Sequence, residues 1–164
     1  MRSNDGFTLI ELVVTVAIVA ILASADMPML KMSVQRTKET ELRADLRQIR
    51  DALGAYKKAY DEGHIELKNL EKSGYPPNLE VLVKGVEDKL DPNKHKLMFL
   101  RKIPIDPMLT RDKSSSDDPS ESARFWGLRS YASEANNPTS GDDVYDVYSL
   151  SPLTGTNGIP YAQW

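Results

Sequence analysis

The sequence predicts an α+β fold, in which one long N-terminal α-helix packs on a small C-terminal antiparallel β-sheet domain. Three observations support this prediction. Residues 7–25 form an apolar run with one ionisable side chain, residues 42–60 carry apolar side chains at helical spacing, and the chain after residue 123 alternates aromatic and β-branched residues between turn formers. A chain of 164 residues fits one such helix, over residues 7–60, and one globular domain, over residues 61–164.

The apolar run is long enough to cross a membrane. An α-helix rises about 1.5 Å per residue, so a helix over residues 7–25 has roughly the thickness of the hydrocarbon layer of a bilayer. The few hydroxyl side chains in the run can hydrogen-bond to the preceding helical turn. We therefore expect residues 7–25 to be a transmembrane segment that crosses the membrane once.

Glu11 is the one ionisable side chain in this run. A carboxylate in the middle of a membrane costs about 2.5–3.5 kcal/mol on insertion scales, so such a residue suggests a function. One interpretation is that Glu11 lies near the membrane surface and extends its carboxylate to water. The other is that a cation at the same depth neutralises it. If the chain were cut after Gly6, the new amino group of Phe7 would provide that cation, on the same chain or on a neighbouring copy.

The apolar stripe of the second half of the helix predicts its packing face. Its members recur at spacings of three and four residues: Leu42, Leu46, Ile49, Leu53, Tyr56 and Tyr60. We expect this face to pack on the globular domain; a two-stranded coiled coil is the alternative, but the stripe covers fewer than about three heptads. Glu39 and Arg43 have the spacing of an ion pair within the helix, and Gly63 is a plausible end of the helix.

The middle of the chain predicts little regular structure. Residues 61–100 have the composition of loops and one short helix, which Asn78 would cap, and residues 96–100 fit either a helix or a strand. The two prolines of residues 101–108 predict an extended loop. Residues 113–122 are rich in Ser, Asp and Pro and are predicted to be disordered.

The C-terminal third predicts the sheet. Residues 123–131 and 144–150 show the alternation of a strand, and the polar residues 136–141 would join them as a hairpin. In the second strand we expect Val144 to share a face with Asp146, and Tyr145 to share the opposite face with Val147. This sheet would pack on the apolar stripe of the helix.

Composition and charge argue against several function classes. The net charge of −3 predicts no affinity for nucleic acid, and the absence of cysteine excludes disulfide bonds, zinc–thiolate sites and thiol catalysis. His64 and His95 lie in polar stretches and are predicted to be solvated surface residues without partners. No nucleophile elbow or phosphate-binding glycine loop is present. We therefore predict that the protein is not an enzyme.

The segment GFTLIEL over residues 6–12, followed by an apolar helix, resembles the prepilin motif of type IV pilins and type II secretion pseudopilins. This resemblance implies a type IV pilin-like fold and a leader over residues 1–6. It also implies that a membrane-bound prepilin peptidase cuts after Gly6, that Phe7 is then N-methylated, and that Glu11 guides the docking of subunits. Pro28 matches the position of a proline that bends the helix in this family.

The C-terminal domain resembles the major pseudopilins of type II secretion systems. The resemblance rests on RKIPIDPM over residues 101–108, Trp126-Gly127, YDVYS over residues 145–149, and the terminal Trp164. It implies a structural subunit of a periplasmic filament that supports protein export. The implied partners are copies of the chain, minor pseudopilins, the prepilin peptidase and the assembly platform of the inner membrane.

Two other functions fit the sequence. One is a type IV pilin or minor pilin, although many such pilins have a cysteine pair that this chain lacks. The other is a signal-anchored periplasmic binding domain, since residues 23–25 imitate a signal-peptidase site. The basic residues around the apolar run favour the reverse topology; the prepilin motif implies that the N-terminus is cytoplasmic and the globular domain periplasmic.

The resemblance also raises the question of a metal. Pseudopilins of this family hold a calcium ion in the loop that follows the Tyr-Ser strand. Here residues 151–158 contain no carboxylate, so Leu150, through its carbonyl, and Asn157 are weak candidate ligands, unless one of three nearby acidic residues contributes: Asp142, Asp143 or Asp146. Calcium prefers six to eight oxygen ligands, several of them charged. We therefore expect no cofactor, and a loop held by glycine turns and by the packing of Tyr161 and Trp164.

Overall fold

A computed structural model describes residues 8–66, 73–109, 118–134 and 137–164, and the side chains of residues 23–29 lie outside this description. The predicted helix is present as α1 (Leu9–Asp61). Two compact units divide between Thr37 and Lys38. Helix α1 ends as predicted: Gly63 has a φ of 84°, its N–H donates to the Tyr60 carbonyl, and the His64 N–H donates to the Ala59 carbonyl. This pair of bonds is a Schellman motif, which a glycine favours because it adopts positive φ without strain.

The core of the unit that starts at Lys38 is built on the predicted stripe of α1. Leu42, Ile49 and Leu53 are almost completely buried, and Tyr60 is half-buried. The same buried cluster contains Trp126 and Val147 of the C-terminal sheet. The prediction that the sheet packs on the helix stripe is therefore confirmed.

The middle of the chain is more ordered than the sequence predicts. After α1 come α2 (Glu80–Lys84), β1 (Val86–Glu87) and β2 (Lys96–Leu97). The Asn78 side chain accepts a hydrogen bond from the Val81 N–H at 3.1 Å, as its capping role requires. The short hairpin of β1 and β2 was not predicted, because two-residue strands leave no periodic pattern in the sequence.

The loop that contains the two prolines has no helix or strand, as predicted, but it enters the core. Ile103 and Asp106 are buried, and the Pro104 carbonyl accepts a hydrogen bond of 2.8 Å from the Trp126 indole. The prediction of disorder is wrong for residues 119–122, which begin α3 (Pro119–Ala123). The Asp118 carboxylate caps this helix by accepting from the Ser120 N–H.

The predicted hairpin is shorter than its sequence pattern. Strands β3 (Trp126–Arg129) and β4 (Asp146–Ser149) pair antiparallel. The predicted faces hold from Asp146 onward, but Val144 is buried and Tyr145 is exposed. The alternation fails there because the two residues precede the strand, where the Val144 N–H donates to the Pro76 carbonyl and not to the sheet ladder.

Gly127 lies opposite Tyr148 in this register. A Cβ atom at position 127 would lie 2.3 Å from the Tyr148 ring, so the ring covers the glycine directly. A glycine is needed here because any other residue would displace the aromatic side chain.

Candidate functional site

The N-terminal half of α1 presents an apolar surface around one carboxylate. Every described side chain of residues 9–22 is exposed, with Leu9 at 82% and Leu22 at 64%. Glu11 lies in the first turn of the helix, where the unpaired N–H groups favour a negative charge. The Glu11 N–H donates to the Thr8 hydroxyl at 3.4 Å, as in the first half of a capping box. The pattern Thr-x-x-Glu at residues 8–11 would have predicted this start of the helix.

The other residues predicted to act in processing and assembly are only partly covered by the structure. Gly6 and Phe7 lie outside the described residues. Position 28 lies within the single helix α1, and the Pro28 side chain is outside the description. Cleavage after Gly6, methylation of Phe7 and the roles of Glu11 and Pro28 in assembly therefore stay predictions.

Within the residues that the structure describes, no helix is both long and apolar enough to cross a membrane.

The C-terminal loop, residues 151–164, is a tight hairpin closed by backbone hydrogen bonds. The Gly155 N–H donates to the Ile159 carbonyl at 2.9 Å and the Tyr161 N–H donates to the Leu153 carbonyl at 3.2 Å. Gly158 has a φ of 77°. The rings of Tyr161 and Trp164 are in edge contact at 5.0 Å, as the expected packing requires.

A buried carboxylate from α1 also holds this loop. Glu39 is 4% exposed, and its oxygens accept hydrogen bonds from the Thr156 N–H at 2.8 Å, the Thr156 hydroxyl at 2.6 Å and the Tyr161 hydroxyl at 2.9 Å. The predicted surface pair with Arg43 is therefore not the role of Glu39. No local sequence pattern predicts this contact, because Glu39 and Tyr161 are 122 positions apart.

Two arginines of α1 contact the end of the same loop. The Arg43 guanidinium lies 4.3 Å from the centre of the Trp164 ring, within the range of a cation–π interaction. Arg50 donates to the Asp146 carboxylate at 2.7 Å and to the Trp164 carbonyl at 2.8 Å. Helix α1 thus holds the loop through three side chains: the Glu39 carboxylate, the Arg43 guanidinium on the Trp164 ring, and the hydrogen-bonded guanidinium of Arg50.

The residues predicted as weak calcium ligands do not fit a calcium ion. The Asn157 side-chain oxygen accepts from the Ile159 N–H at 3.0 Å, and Leu150 is an exposed residue that follows β4. Among the acidic candidates, Asp143 accepts from the hydroxyls of Ser73 and Ser130, Asp146 pairs with Arg50, and Asp142 is exposed. Across the described ranges, no group of three or more His, Asp or Glu side chains has a metal-binding arrangement.

The prediction that the histidines have no partners is wrong. His64 lies 2.9 Å from an oxygen of Asp88, and His95 contacts Asp91. The bond to His64 is the main cause of the lowered pKa of Asp88. For Asp91, the main cause of the lowered pKa is the hydrogen bond that its carboxylate accepts from the Asn93 N–H. The first pair joins two segments that are 24 positions apart, and the second lies within one turn.

Asp45 is an acidic group of α1 whose pKa is raised. Burial is the main cause, followed by the negative charges of Glu41 and Asp106, and together they raise the pKa of Asp45 to about 6. The carboxylate therefore carries an electrostatic cost when it ionises near neutral pH.

Comparisons with known proteins agree with these observations. The family described as the prokaryotic N-terminal methylation motif matches residues 1–25. This match and the long helix place the chain in the class of prepilin-like proteins. The type II secretion system core protein G of Pseudomonas aeruginosa is 35% identical over 107 residues, which cover 65% of this chain and 69% of the relative. No solved structure matches the chain.

The chain therefore belongs to the family of type II secretion system core protein G, the major pseudopilins. The type IV pilin-like α+β fold that the sequence predicts is confirmed by the order of its elements, a long N-terminal helix followed by short antiparallel strands.

Proposed function

We propose that the protein is the structural subunit of a type II secretion pseudopilus and that residues 7–40 form the packed interior of the filament. The observation that carries this proposal is the exposure of the whole apolar segment 9–22, with Glu11 as its single charge. An exposed apolar surface of this length is costly in water and needs cover from lipid or from other copies. Membership of the core protein G family supports the same function.

Assembly would exchange lipid for helix contacts. Lipid chains are as apolar as leucine, so the association of helices in a membrane depends on close packing and on polar pairs more than on hydrophobicity. An unpaired carboxylate costs about 2.5–3.5 kcal/mol in the middle of a membrane. Pairing of Glu11 with the N-methylated amine of Phe7 on an adjoining copy would remove this cost and fix the axial position of one helix against the next.

Processing and location follow from this assignment. The prepilin peptidase would remove residues 1–6 by cutting after Gly6. Before assembly, residues 7–25 would hold the chain in the inner membrane as a single span, with the globular domain in the periplasm, and Pro28 would bend the helix where it leaves the bilayer. The filament would then grow in the periplasm with the assembly platform and minor pseudopilins as partners, and it would bind no nucleic acid.

Substitution of Glu11 tests the proposal. Glu11→Gln and Glu11→Leu should abolish filaments in cells that contain the peptidase and the assembly platform, while the processed chain still accumulates in the inner membrane. Thr15→Ala is the matched control, because it removes a polar group from the same exposed segment. The Thr15 hydroxyl donates to the Leu12 carbonyl at 2.9 Å, within the same helix. This variant should assemble like the parent.

Two measurements decide the result: the yield of sheared filaments, and the mass of the mature N-terminal peptide. The expected mass is that of a chain beginning at Phe7 with one methyl group. Parental filament yield from Glu11→Leu, or filaments whose subunits retain residues 1–6, would contradict the proposal.

A further inference from the structure

We propose that the Glu39 carboxylate takes the place of a metal ion in this chain, so that the C-terminal loop is held by an internal anion and folds without calcium. The contacts of Glu39 lie within a single chain, so they do not depend on filament assembly.

The polarity of the groups around Glu39 supports this inference. A calcium site needs oxygen lone pairs that converge on a cation. Here the groups that converge are donors, two from Thr156 and the hydroxyl of Tyr161, and they point at a carboxylate. A ring of N–H and O–H donors repels a cation and stabilises an anion.

These three donors come from the loop and the acceptor comes from α1. The Thr156 N–H belongs to the tip of the hairpin, between Gly155 and Asn157, and Tyr161 belongs to its return segment, where it is 1% exposed. One carboxylate therefore joins the tip and the return segment of the hairpin to the helix. A bound metal ion would join the parts of a loop in the same way.

The cost of burying Glu39 is met by the geometry of these bonds. A buried carboxylate is strongly unfavourable unless donors satisfy its oxygens. Both oxygens of Glu39 are used, one by the Thr156 N–H and the Tyr161 hydroxyl, the other by the Thr156 hydroxyl. Charge-assisted bonds of this kind are roughly twice as strong as neutral ones.

The composition of the loop fits an internal anion and not a cation. Residues 151–158 have no carboxylate, and the nearby Asp143 and Asp146 are occupied by hydroxyl donors and by Arg50. Because Glu39 already provides a negative charge at the hairpin tip, the loop needs no acidic residue of its own.

The first test measures the response of the full-length protein in detergent to metal. Thermal unfolding is followed by tryptophan fluorescence with excess EGTA and with excess CaCl2. Chymotrypsin cleavage after Tyr161 is measured in the same samples. We expect the parent protein to show the same Tm and the same cleavage rate in both solutions.

The second test removes the carboxylate. Glu39→Gln keeps the shape of the side chain but places an amide against a ring of donors, so the Tm should fall by about 5 °C and cleavage in the loop should accelerate about tenfold. Tyr161→Phe and Thr156→Val each remove one hydroxyl donor and should give smaller shifts in the same direction. Asp51→Asn, an exposed carboxylate on the same helix, is the matched control and should change neither readout.

Three outcomes would overturn the proposal. The first is a loss of Tm or of protease protection in the parent protein on addition of EGTA. The second is a rise in Tm with CaCl2 that Glu39→Gln abolishes, which would make Glu39 a metal ligand. The third is a set of Glu39, Thr156 and Tyr161 variants that all behave like Asp51→Asn.

Discussion

The two halves of α1 contain similar residues in opposite surroundings. In residues 9–22 the apolar side chains are all exposed, and Leu12 is 58% accessible. In the second half, Leu42 and Ile49 are completely buried, and Leu46 is 2% accessible. The second half packs on its own domain, and the first half is covered by nothing within the described residues.

This difference shows that residue type alone does not determine where a helix face is buried. The first half is apolar around its whole circumference, so no single face of one domain could cover it. The second half is apolar on one stripe and polar elsewhere, which is the pattern of a helix that lies on the surface of a core. The part of the helix circumference that is apolar therefore distinguishes the two halves. The first half needs neighbours on all sides to cover its apolar surface, and the second half needs only one domain.

The largest expected effect comes from the same leucine deletion made in each half. Leu46→Ala should lower the free energy of unfolding by about 2–5 kcal/mol, because it leaves a cavity in a close-packed core. Leu12→Ala should change it by less than about 0.5 kcal/mol. Urea unfolding of the detergent-solubilised protein, followed by the fluorescence of Trp126 and Trp164, measures both. Equal losses from the two substitutions would show that the halves do not differ in the way proposed.

A smaller effect is expected from the arginines on the exposed side of the second half. Arg50 donates to Asp146 and to the carbonyls of Val147 and Trp164. Arg50→Met should therefore cost about 1–2 kcal/mol, since these charge-assisted bonds are half-exposed.

Arg47→Met is the control for this prediction. Arg47 is one turn away and exposed, and the same urea titration should show almost no change. A destabilisation by Arg47→Met as large as that by Arg50→Met would indicate that general charge, and not the bonds of Arg50, supports the C-terminal loop.

The smallest effect is electrostatic and depends on pH. The pKa of Asp45 rises from 3.8 in the unfolded chain to about 6 in the fold, so the folded protein binds a proton more tightly and loses stability as the pH rises through this interval. Asp45→Asn should thus raise the free energy of unfolding by about 1 kcal/mol above the folded pKa, after allowance for solvent screening. Below the unfolded pKa the variant should gain nothing.

Urea titrations of parent and variant on either side of this interval measure the difference. Asp51→Asn, an exposed residue of the same helix, serves as the control. A gain for Asp45→Asn that is the same at both pH values would refute the electrostatic cause.

Much of the fold was predictable because its signals are local. The helix over residues 7–60, its end at Gly63 and the hairpin between residues 123 and 150 each follow from periodicity or turn chemistry within a short window. The sequence pattern did not predict the two-residue strands β1 and β2, and it predicted disorder where α3 begins. Elements of two to five residues are too short to show a period.

The sequence by itself determined the class of the protein, because the prepilin motif, which contains Glu11, and the apolar helix that follows it lie in contiguous residues. Only the tertiary structure decided how the C-terminal loop is held. Glu39 and Tyr161 are separated by 122 positions, and no local pattern links them. Their contact depends on the packing of the sheet on α1, which brings the return segment of the loop beside a carboxylate that the sequence places on an ordinary helix surface.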